Sequence, residues 1–148
     1  MPDPEISLTC QQVFDNLYKD WRNYPNRFQR LPAEEKAAFL HEQGFANFHD
    51  LLAHIVAWWE EAIRIIHSIL DLNEIPSREY DIGAFNAAAL KRFKNWKEDD
   101  LLIHYENIRQ ALISLTADLP EAGLQNRRIN GWLKACLVDH FHEHDLKD

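Results

Sequence analysis

The sequence predicts an all-α fold: a four-helix bundle with its helices ordered up-down-down-up. Three observations predict it. Apolar residues recur at alternating spacings of four and three along four long segments. The 148 residues include only four glycines, and no stretch shows the two-residue alternation of a strand. A connection of about a dozen residues, Asp71 to Gly83, lacks helical period and divides the second long segment from the third. Most helix–helix links are shorter.

The first helix is expected from about Ser7 to Tyr24, with Cys10, Phe14, Leu17, Trp21 and Tyr24 as its seam. Pro25 discourages continuation, although Phe28 and Leu31 keep the phase. A short polar helix follows, with Pro32 in its first turn and a close near Gly44. It suits a lid or a bundle end cap. The second long helix is expected from about Asn47 to Asp71, with Asn47 as N-cap and Asp50 in the first turn. Its stripe is Phe48, Leu51, Leu52, Ile55, Trp59, Ala62, Ile63, Ile66 and Leu70, with His54 and Trp58 on one shoulder. The third region starts near Ala84, breaks at Trp96-Lys97-Glu98-Asp99, and resumes with Leu101, Tyr105, Ile108, Leu112 and Leu115. After a loop from Pro120 to Gln125, the last helix is expected from Arg127 to Lys147.

That last helix holds the most informative stretch, Asp139-His140-Phe141-His142-Glu143-His144. Ile129, Trp132, Leu133, Cys136 and Leu137 mark its buried stripe, and His140 and His144 continue it. His142 points away. Imidazoles four residues apart are neighbours on a helix and can share one metal ion. A pair alone is a weak signal, and the same stretch also reads as a solvated, His-rich end.

The link decides between these readings. A dozen extended residues reach roughly 40 Å, enough to cross a bundle. If Asp71–Gly83 crosses it, helices two and four are antiparallel, and His54 meets His140 and His144 at one level. Three histidines with a fourth position open is the arrangement of catalytic zinc. Zinc or nickel suits imidazole ligands best. Each ligand must be neutral, so occupancy is expected to fall below about pH 6.5.

Composition narrows the function further. One domain, 1–148, fits the length. The net charge of −8 disfavours nucleic-acid binding. Cys10 and Cys136 read as reduced core thiols of a cytoplasmic protein. No apolar run reaches the roughly 18 residues of a membrane span. Met-Pro-Asp-Pro-Glu does not read as a signal peptide.

His54-Ile-Val-Ala-Trp58 together with Asp139-His140-Phe141-His142-Glu143-His144 resembles the DinB/YfiT-like superfamily of metalloenzymes. Tyr80-Asp81-Ile82-Gly83-Ala84-Phe85-Asn86-Ala87 is similar to the loop-to-helix segment of its branch of colibactin-resistance proteins, the ClbS/DfsB type. The resemblance spans about Leu8 to His144. It implies a DinB-like up-down-down-up bundle, a divalent metal on His54, His140 and His144, and a homodimer. It also implies a small-molecule substrate and, in some relatives, a low-molecular-weight thiol co-substrate. Three function classes follow: a metal-dependent enzyme acting on a small electrophile, a resistance protein that binds or hydrolyses a reactive natural product without needing metal, and a non-catalytic metal-stabilised bundle.

Several neighbours are pocket candidates. Asp50, one turn before His54, could orient its free ring nitrogen or simply charge the helix start. Glu143 could accept a proton or stay solvated. Trp58 could wall a pocket or pack the core. Asn86, Tyr80 and Arg78 could meet a substrate or brace the third helix. His41, His49, His67 and His104 read as surface or boundary residues. Phe45, Val56, Trp96 and Phe141 lie off their stripes and could form an exposed dimer patch.

Overall fold

A computed structural model describes residues 8–72, 80–119 and 122–146, and the described residues are helical with no strand. Ser7, the middle of the Asp71–Gly83 link with Arg78, Pro120 and Lys147 lie outside them. Within them the first helix starts at Cys10, not Ser7. The last ends at Glu143, short of the expected Lys147, because His144 leaves the helical conformation as its C-cap.

Helix α1 covers residues 10–30, as Cys10–Asp15, a π-helical turn at Asn16–Asp20, and Trp21–Arg30. Thr9 starts it with a capping box: its hydroxyl accepts from Gln12 N, and Gln12 Oε1 accepts from Thr9 N. The helix runs through Pro25, contrary to the expected end at Tyr24. Proline cannot donate to the carbonyl four residues back. Here that carbonyl, Trp21 O, accepts instead from the buried Tyr105 hydroxyl at 2.6 Å. The π turn also corrects the seam. One extra residue in a turn shifts the phase by about 100°. Ahead of it Val13 is buried, Phe14 is partly buried and Cys10 is exposed. Behind it Leu17, Trp21, Tyr24 and Phe28 are buried as expected.

Helix α2 (Ala33–Gln43) closes on Gly44 at φ 80°, a left-handed position suited to glycine. Helix α3 (Phe48–Leu72) is capped by Asn47, whose Oδ1 accepts from Asp50 N at 2.8 Å. Its buried face is wider than one stripe: Val56 and Ile65 are buried beside Leu52, Ile55 and Trp59, whereas Leu70 is exposed and Ile63 half-buried. Helix α4 (Ile82–Phe93) is capped by Asp81. The predicted break follows, and α5 (Glu98–Asp118) opens on three acidic residues that suit its positive end. Helix α6 covers residues 127–143, as Arg127–Leu133, a second π turn at Lys134–Asp139, and His140–Glu143, with His144 as its C-cap.

Side-chain bonds fix the relative directions. Asn130 reaches Leu8 O, Trp21 reaches Leu137 O and Tyr24 reaches His144 O, so α1 and α6 run parallel. Tyr105 meets Trp21 and Arg109 meets Leu17, so α5 opposes α1. His54 meets His140 while Trp59 meets Cys136, so α3 and α6 are antiparallel, as the histidine placement required. His49 meets Trp96, just ahead of α5, and Glu60 meets His104, so α3 and α5 run parallel. The core between these helices is aromatic. Trp21 stands edge-on to Trp59 at 5.0 Å and to Phe141 at 5.2 Å, and Phe28 stacks on Phe48 at 3.9 Å. Phe141 and Val56 are therefore core residues, not the exposed patch expected of them. Of that set only Trp96 is exposed; Phe45 is half-buried. Among the described residues, no helix is long and apolar enough to cross a membrane.

Candidate metal centre

His54, on the second turn of α3, meets His140 and His144 at the end of α6. One nitrogen from each ring lies within 4.8 Å of the others. His54 Nε2 and His140 Nε2 are 3.1 Å apart. Two nitrogens about 2.05 Å from one tetrahedral zinc stand roughly 3.3 Å apart, so this pair already has the edge length of a coordination shell. The three histidines could hold a metal ion.

The site forms where the second π turn ends. His140 N donates to Ala135 O, five residues back. Its α-helical acceptor would be Cys136 O, which accepts the Trp59 indole N–H at 3.0 Å. Leu137 O accepts the Trp21 indole at 3.0 Å. Two buried tryptophans thus satisfy carbonyls at the turn that sets the rotation of His140. Tyr24 completes the frame by donating to His144 O at 2.7 Å.

Burial also fixes the charge state. His140 and His144 are each only 6% exposed. Loss of solvent pushes the pKa of His144 down to about 4, with the neighbouring His54 ring adding to the effect. Burial pushes His140 well below its ordinary value, and the other two imidazoles add repulsion, opposed weakly by the Cys136 carbonyl. His54 is lowered by burial, opposed by a side-chain interaction with Asn86. All three rings are therefore neutral near pH 7, the form that ligates.

One residue missed in the sequence orients His144. Gln43, the last residue of α2, donates from Nε2 to Glu143 O at 3.1 Å. A carbonyl accepts only, so the amide nitrogen must face Glu143 and the oxygen must face His144. Gln43 Oε1 lies 2.7 Å from His144 Nδ1, which must then carry the proton. The lone pair sits on His144 Nε2, a buried atom with no hydrogen-bond partner. A ring bonded through one nitrogen and presenting the other is how a metal-binding histidine is held. No pattern in the sequence marks Gln43, because a glutamine before a C-cap glycine is unremarkable at the surface. Phe45 packs its ring 5.3 Å from His54 and 6.2 Å from His144, and was likewise missed as a wall of the site.

The pocket candidates divide. A cleft of about 390 Å³ opens beside His54 and His140, lined by Trp58, Asn86, Trp132, Cys136 and Glu143. Trp58 donates its indole N–H to Asn86 Oδ1 at 2.8 Å, which joins α3 to α4. Tyr80 donates to the buried Glu61 instead, at 3.1 Å. Glu143 is exposed at the rim, and His142 faces away from the site into solvent. Asp50 makes no hydrogen bond to His54; it lines a separate depression with His49, Lys91 and Trp96. The His54 ring turns instead toward α6 and Asn86. Cys136 is buried and its thiol is pushed up to about 12 by loss of solvent, so it stays protonated. Compared with protein-family models, curated proteins and solved structures, the chain gives no match.

Proposed function

We propose that this chain is a divalent-metal enzyme of the DinB-like four-helix type, acting on a small electrophilic substrate. The observation that carries the reading is the convergence of three neutral imidazoles, one of them presenting a buried and unpartnered Nε2. The up-down-down-up order read from the sequence is supported by the helix directions above, with α1, α3, α5 and α6 as the four members. The third helix read from Ala84 is two helices. It is α4, flanked by Tyr80 beside Glu61 and Trp96 beside His49, that carries the chain back along α3, a passage the sequence assigned to the Asp71–Gly83 link alone. His54, His140 and His144 are the proposed ligands, for zinc or nickel. A divalent ion held there supplies Lewis acidity, which polarises an electrophile or acidifies a water or a low-molecular-weight thiol.

The chain's own residues do the rest. Gln43 holds His144 in one tautomer. Trp58 and Asn86 fix the wall of the cleft where a substrate would sit, and Trp132 forms its far side. Glu143 stands at the rim within the same cleft, placed to take up a proton. The class of reaction is hydrolysis or thiol-dependent transfer.

Metal analysis of protein purified without a histidine tag tests the reading, together with titrations of three variants. His54→Ala and His140→Ala are expected to lose stoichiometric metal while keeping most helix content. His142→Ala is expected to bind like wild type. Equal binding by all three would overturn the site.

A further inference from the structure

The charge of the cleft says which molecules it admits. Among the described residues that line it, Glu143 is the only charged side chain, and no lysine or arginine faces it. Its carboxylate is exposed on the last turn of α6, one residue before the ligand candidate His144. Two of its walls are tryptophans, Trp58 and Trp132. Beyond them, Trp58 packs 4.1 Å from Phe85 and 5.7 Å from Tyr80, and Tyr80 packs 5.7 Å from Trp132. The one amide on the wall, Asn86, has its oxygen committed to Trp58. Basic side chains do occur nearby, but they are held elsewhere: Arg64 bonds Glu61, and Arg92 bonds Glu60. Both lie along a different groove, between α3 and α4.

With no lysine or arginine among the described lining residues, a rim carboxylate beside aromatic walls favours a positively charged group next to it, against the pull of the neighbouring metal ion on anions. We propose that Glu143 shifts the cleft's preference toward a substrate or thiol co-substrate that bears an amine at the rim, and away from one that bears a carboxylate there. The inference rests on the metal reading above and deepens it.

Two thiols of similar size and opposite charge test it, cysteamine and 3-mercaptopropionate, with neutral 2-mercaptoethanol as reference. Each is titrated into cobalt-loaded wild type and Glu143→Gln, and the sulfur-to-cobalt absorption band is followed. Comparing each thiol with itself across the two proteins cancels its intrinsic acidity. A unit charge about 6 Å away in a wet cleft is worth a severalfold change in affinity. Relative to 2-mercaptoethanol, whose own change reports any loss of proton uptake by Glu143, Glu143→Gln is therefore expected to weaken cysteamine by about threefold and to tighten 3-mercaptopropionate by about threefold. Glu143→Lys is expected to widen both shifts. If the two charged thiols keep their affinity ratios to 2-mercaptoethanol in Glu143→Gln, the charge selection is overturned while the metal site stands. If the protein takes up no cobalt, the metal reading falls, and this inference with it.

Discussion

Gln43 Oε1 lies 2.7 Å from His144 Nδ1, and the other end of the same carboxamide holds the Glu143 carbonyl. A short helix that looked in sequence like an end cap thus supplies the partner that fixes a ligand ring. Removing such a partner costs roughly 10–100-fold in metal affinity at known sites. Gln43→Ala is expected to weaken zinc by that order, measured by chelator competition. Gln43→Glu keeps an acceptor for Nδ1 and is expected to recover part of the loss. An unchanged affinity in Gln43→Ala would show that His144 is held without it.

The lowered histidine pKa values set the pH behaviour of the metal-free protein. A histidine whose folded pKa lies below its unfolded value of about 6.5 binds protons more readily when unfolded. Its contribution is complete above about pH 6.5 and is lost as pH falls toward the folded pKa, about 4 for His144. Between pH 7.5 and 5, His144 alone is expected to remove about 2 kcal/mol. Urea unfolding of apo-protein at the two pH values measures this, and a midpoint that does not fall at pH 5 would contradict it. The same burial means protons compete with metal only below the threshold of about 6.5 expected from free imidazole.

Trp59→Phe keeps most of the core volume but strips the donor from Cys136 O. A buried carbonyl left unsatisfied costs about 1–3 kcal/mol. The unfolding free energy is expected to drop by that amount. Metal affinity is expected to drop with it, because the π turn sets the rotation of His140. Loss of stability with unaltered metal binding would separate the turn from the site.

Tyr105 and Pro25 are coupled through Trp21 O. Tyr105→Phe removes the buried hydroxyl that donates to that carbonyl in place of the N–H that Pro25 lacks. The expected cost is about 1–3 kcal/mol. In a Pro25→Ala background the new N–H at residue 25 can donate to Trp21 O, and the cost should shrink. Equal costs in the two backgrounds, read from a double-mutant cycle, would refute the coupling.

Local rules written in the sequence determined the helices and the face that carries the histidines. Apolar spacing located α3, α5 and α6, Asn47 marked the start of α3 and Gly44 the close of α2, and the four-residue step from His140 to His144 put both rings on the buried stripe. These are properties of one helix at a time, set by a few adjacent residues. The tertiary structure decided what depends on a partner distant in the chain. Helix α1 passes Pro25 because a tyrosine 80 positions later supplies the missing bond. Cys10 turns outward because of a π turn in which Arg109 binds Leu17 O. Val56 and Phe141 are buried because α3 and α6 each pack on more than one neighbour, so an off-stripe position meets protein instead of water. Gln43 became part of the site only when α2 came to rest against the end of α6. A hydrogen bond between residues 101 positions apart leaves no periodic trace in a sequence, and only the packing of the helices reveals it.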